Sequence, residues 1–539
     1  MKKLNILLLI VTFCVCILGY AQQDAWVYLT DKENVTASLA SPITILSQKA
    51  IDRKALHGVV IDDRDVPVNE NYITQLKAQS GISVLAKSKW FNAVHVRGTE
   101  TDINALSSLA FVSSITFADN SLNAKTVIPD ITQNKFIVEN NIQTTFNYGN
   151  AANQIEMFNG HQLHLGGYTG TGMTVAVIDA GFPDVNTMAG FQRLRDAGNL
   201  LGGYDFFDRT SDVYVNASSS HGTLVLSDMA GFVQDQFVGT APDASYYLFR
   251  TENAPNENPV EESLWVEAAE RADSLGVDVI NTSLGYKAYD NPNYSHTSQD
   301  IDGNTTYITK GANIAFEKGM LLINSAGNSG ASGLNAPADA AGVLTIGAVQ
   351  ADGTYANFSS QGSAIQPTQK PDVVAQGAAS AVINQNDVVT TSNGTSFSSP
   401  ILAGGIVCLW QALPNLNNAE IMQLVRESAS QYTSPDYFLG YGIPDLSMAL
   451  NQGLSLEQLE INTVLNIYPN PVQTELTIDI PSVYELAKVQ LYNILGKKVL
   501  ETTVTNTESK IDVSVFANGI YLLKVDANDM SKTIKLIIN

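Results

Sequence analysis

Short apolar runs separated by helical stretches fill residues 160 to 455, and this pattern distinguishes them from the rest of the chain. Five of these runs predict strands that are buried on both faces, because their apolar residues follow one another without alternation. They are MTVAVIDAG, ASYYLFR, VDVINTSLG, MLLINSAGN and GVLTIGAV, and a helical stretch, VEESLWVEAAERADSLG, lies among them. Strands alternating with helices predict a doubly wound α/β domain, whose site lies at the carboxyl ends of its parallel strands.

The residues from 24 to about 120 predict a separate, small α+β unit. Its strands are AWVYLTD, WFNAVHVRG and FVSSITF. Asn69 is placed to cap a helix that Gly81 ends, and Asp102 is placed to open a second helix. The predicted order is β-α-β-α-β, with room for a further strand.

From about residue 463 the apolar positions alternate with a period of two, which is typical of strands with one buried face. The alternating residues are Leu476, Ile478, Ile480, Ile511, Val513, Val515, Ile534, Leu536 and Ile538. This segment predicts a small all-β sandwich domain, and no titratable cluster accompanies it.

Two further segments complete the predicted organisation. Residues 1–21 combine two lysines, an apolar run and a small-x-small cleavage site, as a secretory signal peptide does. The Asn-, Gln- and Thr-rich residues 121–160 predict a linker that proteases can reach. The predicted domains are therefore residues 22–120, 161–455 and 463–539.

Composition narrows the classes of function. The chain has 539 residues and a net charge of −23, so it would repel nucleic acid rather than bind it. Beyond the signal peptide, no segment approaches the roughly 20 apolar residues of a membrane span. Cys14 and Cys16 would leave with the signal peptide, so Cys408 has no internal disulfide partner and is predicted to serve packing.

Three polar residues stand at the ends of elements in the α/β domain. Asp179 follows the strand VAVI, His221 opens a helix, and Ser396 lies where the turn SNGT runs into an apolar helix. A serine nucleophile needs a base, and the imidazole needs an acceptor on its other nitrogen. Gly394 would let a substrate approach the unpaired N–H groups of the helix start. Each residue alone also fits an ordinary cap.

The boxes VAVIDAGF, SSHGT and NGTSFSSP, in the order Asp, His, Ser, resemble the three signature boxes of the subtilisin family of serine peptidases. The resemblance covers most of residues 160 to 450. It implies that Asp179 orients the imidazole, that His221 is the general base and then the acid, and that Ser396 is the acylating nucleophile.

Two more segments resemble parts of the same family. In LLINSAGNSG, Asn328 resembles the asparagine of the oxyanion hole, although a turn asparagine would look the same. The stretches VINTSLGY and SAGN resemble the segments that line the substrate groove. This resemblance implies that five residues pair with an extended peptide: Ser283, Leu284, Gly285, Ala326 and Gly327.

The flanking domains also have counterparts. The stretches WVYLTDK, SPITILSQKAIDRK and SKWFNAVHV resemble the N-terminal propeptide of bacterial secreted subtilases, which assists folding and covers the active site. The stretches LNIYPNPVQTELTI and NGIYLLKVDAN resemble the C-terminal sorting domain of the type IX secretion system of Bacteroidetes. The implied partners are the chain's own propeptide, protein or peptide substrates and the secretion machinery, and the implied location is the cell surface or the medium.

Motifs of other enzyme classes are incomplete in this sequence. GTSFS has Ser398 where the α/β-hydrolase elbow needs a glycine, and HQLH at 161 lacks the glutamate of a zinc-protease motif. The carboxylates of DIDGNT, from residue 300, leave two alternatives, a structural calcium site or a solvated loop. The proposed chemistry requires no cofactor, and no catalytic metal is predicted.

Taken together, the sequence predicts a secreted serine endopeptidase made as a latent precursor and cut between about residues 119 and 160. A non-catalytic surface or adhesion protein on a subtilase scaffold is the main alternative, and it predicts a lost triad member. All three members are present. An esterase using the same nucleophile would need a deep acyl pocket, for which the sequence gives no sign.

Overall fold

The computed structural model describes residues 22–123, 146–215, 219–463, 465–480, 484–493, 496–505, 509–527 and 530–539. These residues form two compact units, one reaching Leu450 and the other running from Asn451 to Asn539. The predicted signal peptide, residues 1–21, lies outside the described residues. So does the segment 124–145, where cleavage of the precursor is predicted.

An antiparallel four-stranded sheet forms the N-terminal domain, with the spatial order β2-β3-β1-β4. The three predicted strands are confirmed, and β2 is the further strand for which the pattern left room. The strands are β1 (Gln22–Leu29), β2 (Ser83–Ser88), β3 (Ala93–Thr99) and β4 (Val112–Phe117). Their inward side chains, such as Val27, Val94 and Val96, are fully buried and pack on the helices of the same domain.

Side chains cap several helix starts in this domain, namely those of Ser47, Asn69 and Thr99. The helices are α1 (Val35–Ala40), α2 (Gln48–Leu56), α3 (Glu70–Lys77) and α4 (Glu100–Ala105). Asn69 caps α3 as predicted, since its side chain accepts hydrogen bonds from two backbone N–H groups. The prediction that Asp102 opens α4 is wrong. Thr99 is the cap, because its hydroxyl accepts from the N–H of Asp102, which stands in the first turn.

Seven parallel strands form the sheet of the central domain, in the spatial order β13-β12-β11-β10-β5-β9-β6. All five predicted strands are present, and β6 and β13 extend the sheet at its two edges. The strands of this sheet are β5 (Thr174–Asp179), β6 (Leu200–Asp205), β9 (Ser245–Arg250), β10 (Val279–Thr282), β11 (Leu321–Ser325), β12 (Val343–Val349) and β13 (Val373–Gln376). The order reverses direction around β5, so a crevice opens at the carboxyl end of that strand.

Helices cover both faces of this sheet, which confirms the doubly wound α/β prediction. The helices of this domain are α5 (Ala152–Glu156), α6 (Gly160–Leu165), α7 (Gln192–Asp196), α8 (His221–Ala230), α9 (Val260–Leu275), α10 (Tyr307–Glu317), α11 (Thr395–Ala412) and α12 (Asn418–Glu427). A further helix, α13 (Leu446–Thr463), begins in the first compact unit and ends in the second. Two hairpins accompany them, β7 (Phe232–Val233) with β8 (Phe237–Val238) and β14 (Ser380–Ile383) with β15 (Val389–Ser392). Helix α5 lies inside the predicted linker, so the last part of that segment is structured.

The N-terminal domain packs against α9 and α10 of the central domain. The indole of Trp26 stacks on Tyr307 with 4.7 Å between ring centroids, and its N–H donates to Ser263 Oγ at 2.8 Å. On α9, the carboxylate of Glu270 accepts from Ser88 Oγ at 2.5 Å and from the backbone N–H of Trp90 at 2.9 Å. The two domains therefore share one buried interface.

A buried cluster of charges joins the same two domains. Asp273 of α9 lies 2.5 Å from the Arg53 guanidinium and 2.7 Å from the Lys54 ammonium. Asp65 lies 2.7 Å from Lys318 Nζ and 3.3 Å from Lys54 Nζ. The side chains of all five residues are at most 3% exposed. Because each charge has an opposite partner at contact distance, burial of the cluster is tolerated.

Within the C-terminal unit, the residues from 466 onward form an all-β domain with two sheets, as predicted. One sheet has the order β16-β17-β20 and the other β19-β18-β21-β22. Its strands are β16 (Asn466–Tyr468), β17 (Glu475–Asp479), β18 (Leu486–Asn493), β19 (Lys498–Thr505), β20 (Lys510–Asp512), β21 (Gly519–Ala527) and β22 (Met530–Ile538). Leu476, Ile478 and Leu536 are fully buried, whereas Val515 is 77% exposed. The alternation assigned Val515 to the core wrongly, because β20 ends at Asp512 before reaching it.

Cys408 is completely buried on α11, where its thiol donates to the Thr240 carbonyl at 3.3 Å. Burial raises the pKa of this thiol well above its usual range, so it stays protonated. Packing is therefore its role, as predicted. In the described part of the chain, no helix has the length and apolar character needed to cross a membrane.

Candidate functional site

Asp179 is the last residue of β5, and it is completely buried. Its Oδ1 accepts a hydrogen bond from the N–H of Ala180 at 2.7 Å and lies 2.8 Å from His221 Nδ1. Its Oδ2 has no hydrogen-bond partner among the described residues. An apolar parallel strand thus ends in one carboxylate that faces the imidazole.

His221 is the first residue of α8, and the Ser219 hydroxyl accepts from its backbone N–H at 3.1 Å. Burial by itself lowers the pKa of the imidazole, but the charge of Asp179 and its hydrogen bond outweigh this, so the pKa of His221 is raised. Since Nδ1 donates to Asp179, the neutral ring carries its proton there. The other nitrogen, Nε2, is then free to accept a proton.

Ser396 is the second residue of α11 and lines the same cleft as His221. Its Oγ donates to the Ser283 carbonyl at 3.4 Å, while Ser283 Oγ donates to the Ser396 carbonyl at 2.9 Å. No hydrogen bond joins Ser396 Oγ to His221 Nε2 in the described part of the chain. The 3.4 Å contact is long for a hydroxyl donor, so it holds the hydroxyl only weakly.

Asn328 lines the cleft and is hydrogen-bonded to the first residue of α11. Its Oδ1 accepts from the backbone N–H of Thr395 at 2.9 Å and from Thr395 Oγ1 at 3.1 Å. These bonds fix the amide so that Nδ2 is the free donor. A Cβ built on Gly394 would lie 3.5 Å from Asn328 Nδ2 and 3.6 Å from the Ser396 nitrogen. The two donors therefore border one small space.

Gly394 keeps that space open. Its backbone has φ 152° and ψ 153°, a conformation that is essentially restricted to glycine. A side chain here would be strained and would also stand in front of both donors. The glycine that the sequence placed before Ser396 thus has a structural reason.

The cleft has a volume of about 440 Å³. It is lined by Ala180, Ser219, His221, Glu252, Ala254, Glu257, Ser283, Leu284, Gly285, Ser325, Gly327, Asn328, Ser329, Asn335, Thr395 and Ser396. Four of the five predicted groove residues are among them. Ala326 is not, because it is completely buried and its N–H donates to the Ile346 carbonyl at 2.9 Å. Its predicted contact with substrate stays a prediction.

Two acidic residues of the cleft, Glu252 and Glu257, were missed in the sequence analysis. Burial raises the pKa of the Glu252 carboxyl well above its usual range, and the negative charge of Glu261 adds to this effect. Glu252 lies two residues beyond Arg250, which ends β9. The rule that polar residues at strand ends mark a site would have found it.

The segment DIDGNT uses its carboxylates within its own loop. Asp302 Oδ1 accepts from the N–H groups of Asn304 and Thr305 at 2.9 and 2.8 Å, and Asp300 Oδ2 accepts from the Thr297 N–H at 2.7 Å. Over the ranges that the structure describes, no group of three or more His, Cys, Asp or Glu side chains is arranged to hold a metal ion. The calcium site stays a prediction.

Three family models match successive parts of the chain. A propeptide domain of peptidase S8 from Bacteroidota matches residues 24–135, the subtilase family matches residues 170–442, and a secretion system C-terminal sorting domain matches residues 466–539. The last match indicates export to the cell surface or the extracellular space. It agrees with the predicted type IX secretion.

Characterised relatives match the central domain. Subtilisin E of Bacillus subtilis is 29% identical over 296 residues, which cover 53% of this chain and 68% of the relative. Subtilisin DY of Bacillus licheniformis is 27% identical over 300 residues, which cover 55% of this chain and 97% of the relative. Among solved structures, the crystal structure of MycP1 with its N-terminal propeptide removed has a TM-score of 0.45 and 23% identity, and it covers 55% of this chain and 96% of MycP1.

The subtilase model spans just over half of the chain, and the flanking models add a propeptide and a sorting domain. The boxes that carry the family resemblance meet in one cleft of a doubly wound sheet. On these grounds, the chain belongs to the subtilase family of serine endopeptidases.

Proposed function

We propose that the mature chain hydrolyses peptide bonds of extended substrates through Asp179, His221 and Ser396, with an acyl-enzyme intermediate. The observation that carries this proposal is the 2.8 Å hydrogen bond between His221 Nδ1 and Asp179 Oδ1 in the crevice that Ser396 lines. The assignment of these roles follows from the chemistry that a serine nucleophile needs.

In the first half of the reaction, Ser396 Oγ attacks the carbonyl carbon of the scissile bond while His221 Nε2 takes the hydroxyl proton. The carboxylate of Asp179 stabilises the imidazolium that forms and keeps the ring in orientation. His221 then gives the proton to the leaving amine. An ester between Ser396 and the acyl half of the substrate remains.

In the second half, water takes the place of the leaving amine. His221 Nε2 removes a proton from the water as it attacks the ester carbonyl, and then returns that proton to Ser396 Oγ. All of these steps move protons between side chains, water and substrate, so the proposed mechanism uses no cofactor.

The negative charge that develops on the carbonyl oxygen would enter the space beside Gly394. Asn328 Nδ2 and the Ser396 N–H border this space, and the Asn328 amide is fixed by its two bonds to Thr395. Donors fixed in advance stabilise the transition state without rearranging during the reaction. We assign Asn328 and the Ser396 N–H as the oxyanion hole.

Ser396 has to turn from its resting position before it can attack. Its only hydrogen bond as a donor in the described part of the chain is the 3.4 Å contact to the Ser283 carbonyl. Losing so long a bond costs little, and hydrogen bonds of catalytic groups often shorten only when substrate is bound. The resting geometry is therefore compatible with the proposed attack.

The proposed biological form is a latent precursor that becomes active when the linker is cut. The N-terminal domain is held to α9 and α10 through Glu270, Asp273 and Trp26. Residues 1–21 would act as the signal peptide that leads the chain to the periplasm, before the sorting domain directs its further export.

A fluorophosphonate probe tests this proposal directly. The mature chain should react at Ser396 with displacement of fluoride, and the labelling rate should fall as the pH is lowered. The general base must be neutral, and the pKa of His221 is raised, so the loss should begin above its ordinary value of about 6.5. The rate of covalent labelling, followed by mass spectrometry across the pH range, measures this. Labelling that survives His221→Ala, or that occurs on another residue, would refute the proposed triad.

Replacing Asn328 by alanine should lower kcat and leave KM almost unchanged. The lost amide donor acts on the oxyanion rather than on the bound substrate. The expected loss is about 10²–10³-fold, a magnitude known for the corresponding asparagine of subtilisin and carried over from it. Steady-state kinetics on a peptide substrate measure both constants. A change in KM alone would assign Asn328 to substrate binding instead.

A further inference from the structure

The catalytic cleft holds two carboxyl groups that no cation of the described chain pairs with. Glu252 and Glu257 line it together with His221 and Ser396. In the described ranges, neither glutamate forms an ion pair. The pKa of Glu257 is raised, first by burial and then by the charge of Asp290. The cleft thus presents two carboxyl groups to whatever occupies it.

Glu252 stands next to the triad because of its place in the sheet. Strand β9 pairs with β5 so that Arg250 lies opposite Asp179, and the N–H of Thr251 donates to the Asp179 carbonyl at 3.3 Å. Glu252 is the next residue and is only 6% exposed. Its carboxyl group is therefore held by the backbone on the side of the cleft that carries Asp179.

Only one of the two carboxyl oxygens of Glu252 accepts hydrogen bonds from the described residues. Glu252 Oε1 accepts hydrogen bonds from the Tyr286 hydroxyl and from Thr251 Oγ1. Its Oε2 has no hydrogen-bond partner in the part of the chain that the structure describes. One acceptor of a mostly buried side chain in the cleft wall is left for a ligand.

Arg250, the neighbouring cation, does not form an ion pair with the carboxyl group of Glu252. Arg250 Nη1 donates to Asp205 at 2.6 Å and to Asp208 at 2.7 Å. Its Nε donates at 3.1 Å to the backbone carbonyl of Glu252, not to the side chain. A buried carboxyl group without a cation is costly to a fold, and such groups concentrate at functional sites.

We propose that Glu252, assisted by Glu257, selects substrates that carry a lysine or arginine side chain close to the scissile bond. The ammonium or guanidinium group would donate to Glu252 Oε2 and stabilise its ionised form, and the carboxyl proton would pass to solvent. The substrate would thus supply the cation that the chain itself does not. This inference rests on the proposed function, because it requires a peptide in the cleft.

The test uses the mature protein and N-acetylated peptides that differ only in lysine or norleucine at one position, scanned along the sequence. We expect one position at which lysine is preferred by about tenfold or more in kcat/KM, the strength of a charge-assisted hydrogen bond. Glu252→Gln should abolish this preference, so that kcat/KM for the lysine peptide falls to about that for the norleucine peptide measured with the same variant. Glutamine retains the acceptor for Tyr286, so the local fold is preserved.

Glu427→Gln is the matched control, because Glu427 lies on α12 and bonds to Gln423, away from the cleft. This variant should keep the preference for lysine. Equal rates for both peptides at every position, or a preference that survives Glu252→Gln, would overturn the inference while Ser396 is still labelled by the probe. If neither peptide is cleaved and Ser396 is not labelled, the proposed function itself fails.

Discussion

The Ser396→Ala precursor should stay intact under conditions in which the wild-type precursor is trimmed between residues 119 and 160. Without the hydroxyl, no acyl-enzyme can form, so self-processing stops. The expected loss in kcat is about 10⁶-fold, a magnitude known for subtilisin and carried over from it. Intact mass spectrometry of both chains, produced without the signal peptide in a host that lacks type IX secretion, gives the result.

Ser398→Ala is the matched control for this experiment. Ser398 lies on the same helix and is fully buried, and its Oγ donates to the Thr395 carbonyl at 3.1 Å. This variant should be trimmed like the wild type. Trimming of Ser396→Ala at the wild-type position would show that another protease cuts the linker, and an untrimmed wild type would contradict self-processing.

Replacing Asp273 by asparagine should destabilise the precursor by about 3–5 kcal/mol, the cost of removing one partner from a buried charge pair. Arg53 and Lys54 would keep their positive charges in a buried interface without the carboxylate that they contact at 2.5 and 2.7 Å. Burial alone would raise the pKa of Asp273, but the charges of Lys54 and Arg53 lower it. The contribution of Asp273 to the free energy of unfolding is therefore present at neutral pH, and it is lost as the pH falls through the lowered pKa of this residue.

Urea unfolding of the uncut Ser396→Ala precursor, with and without Asp273→Asn, measures this loss. Glu317→Gln is the matched control, because Glu317 contacts Arg64 across the same pair of domains at 2.6 Å but is 56% exposed. An exposed pair of this kind contributes less than about 1 kcal/mol. Equal effects of the two substitutions would show that the buried cluster does not hold the N-terminal domain in place.

The apolar runs located all five predicted strands of the central sheet, since a strand buried on both faces shows an uninterrupted apolar sequence. The edge strands β6 and β13 were missed. Strand β6 reads LLGGYD, and its two glycines and half-exposed edge position remove the apolar signal. The start of α4 was predicted at the wrong residue, because Thr99 and Asp102 are both residue types that cap helices. The structure shows that Thr99 is the cap.

The candidate site was accessible from the sequence because its members stand at strand ends and helix starts, next to motifs of a known family. The orientation of these side chains was not accessible. Ser396 Oγ donates to the Ser283 carbonyl, and Ala326 is completely buried beside Gly327, which lines the cleft. Such differences depend on rotamers and on packing from other elements, which adjacent residues in the chain do not encode.

The sequence by itself determined the order of the domains, the doubly wound sheet and the residues that the family resemblance names as catalytic. These are local properties, because apolar periodicity and short motifs are read within about ten residues. Only the tertiary structure decided which charges meet. Asp273 joins Arg53 and Lys54 across more than 200 residues of chain, and Glu252 reaches the cleft because β9 pairs with β5. Coulomb interactions depend on separation in space, which the fold alone sets.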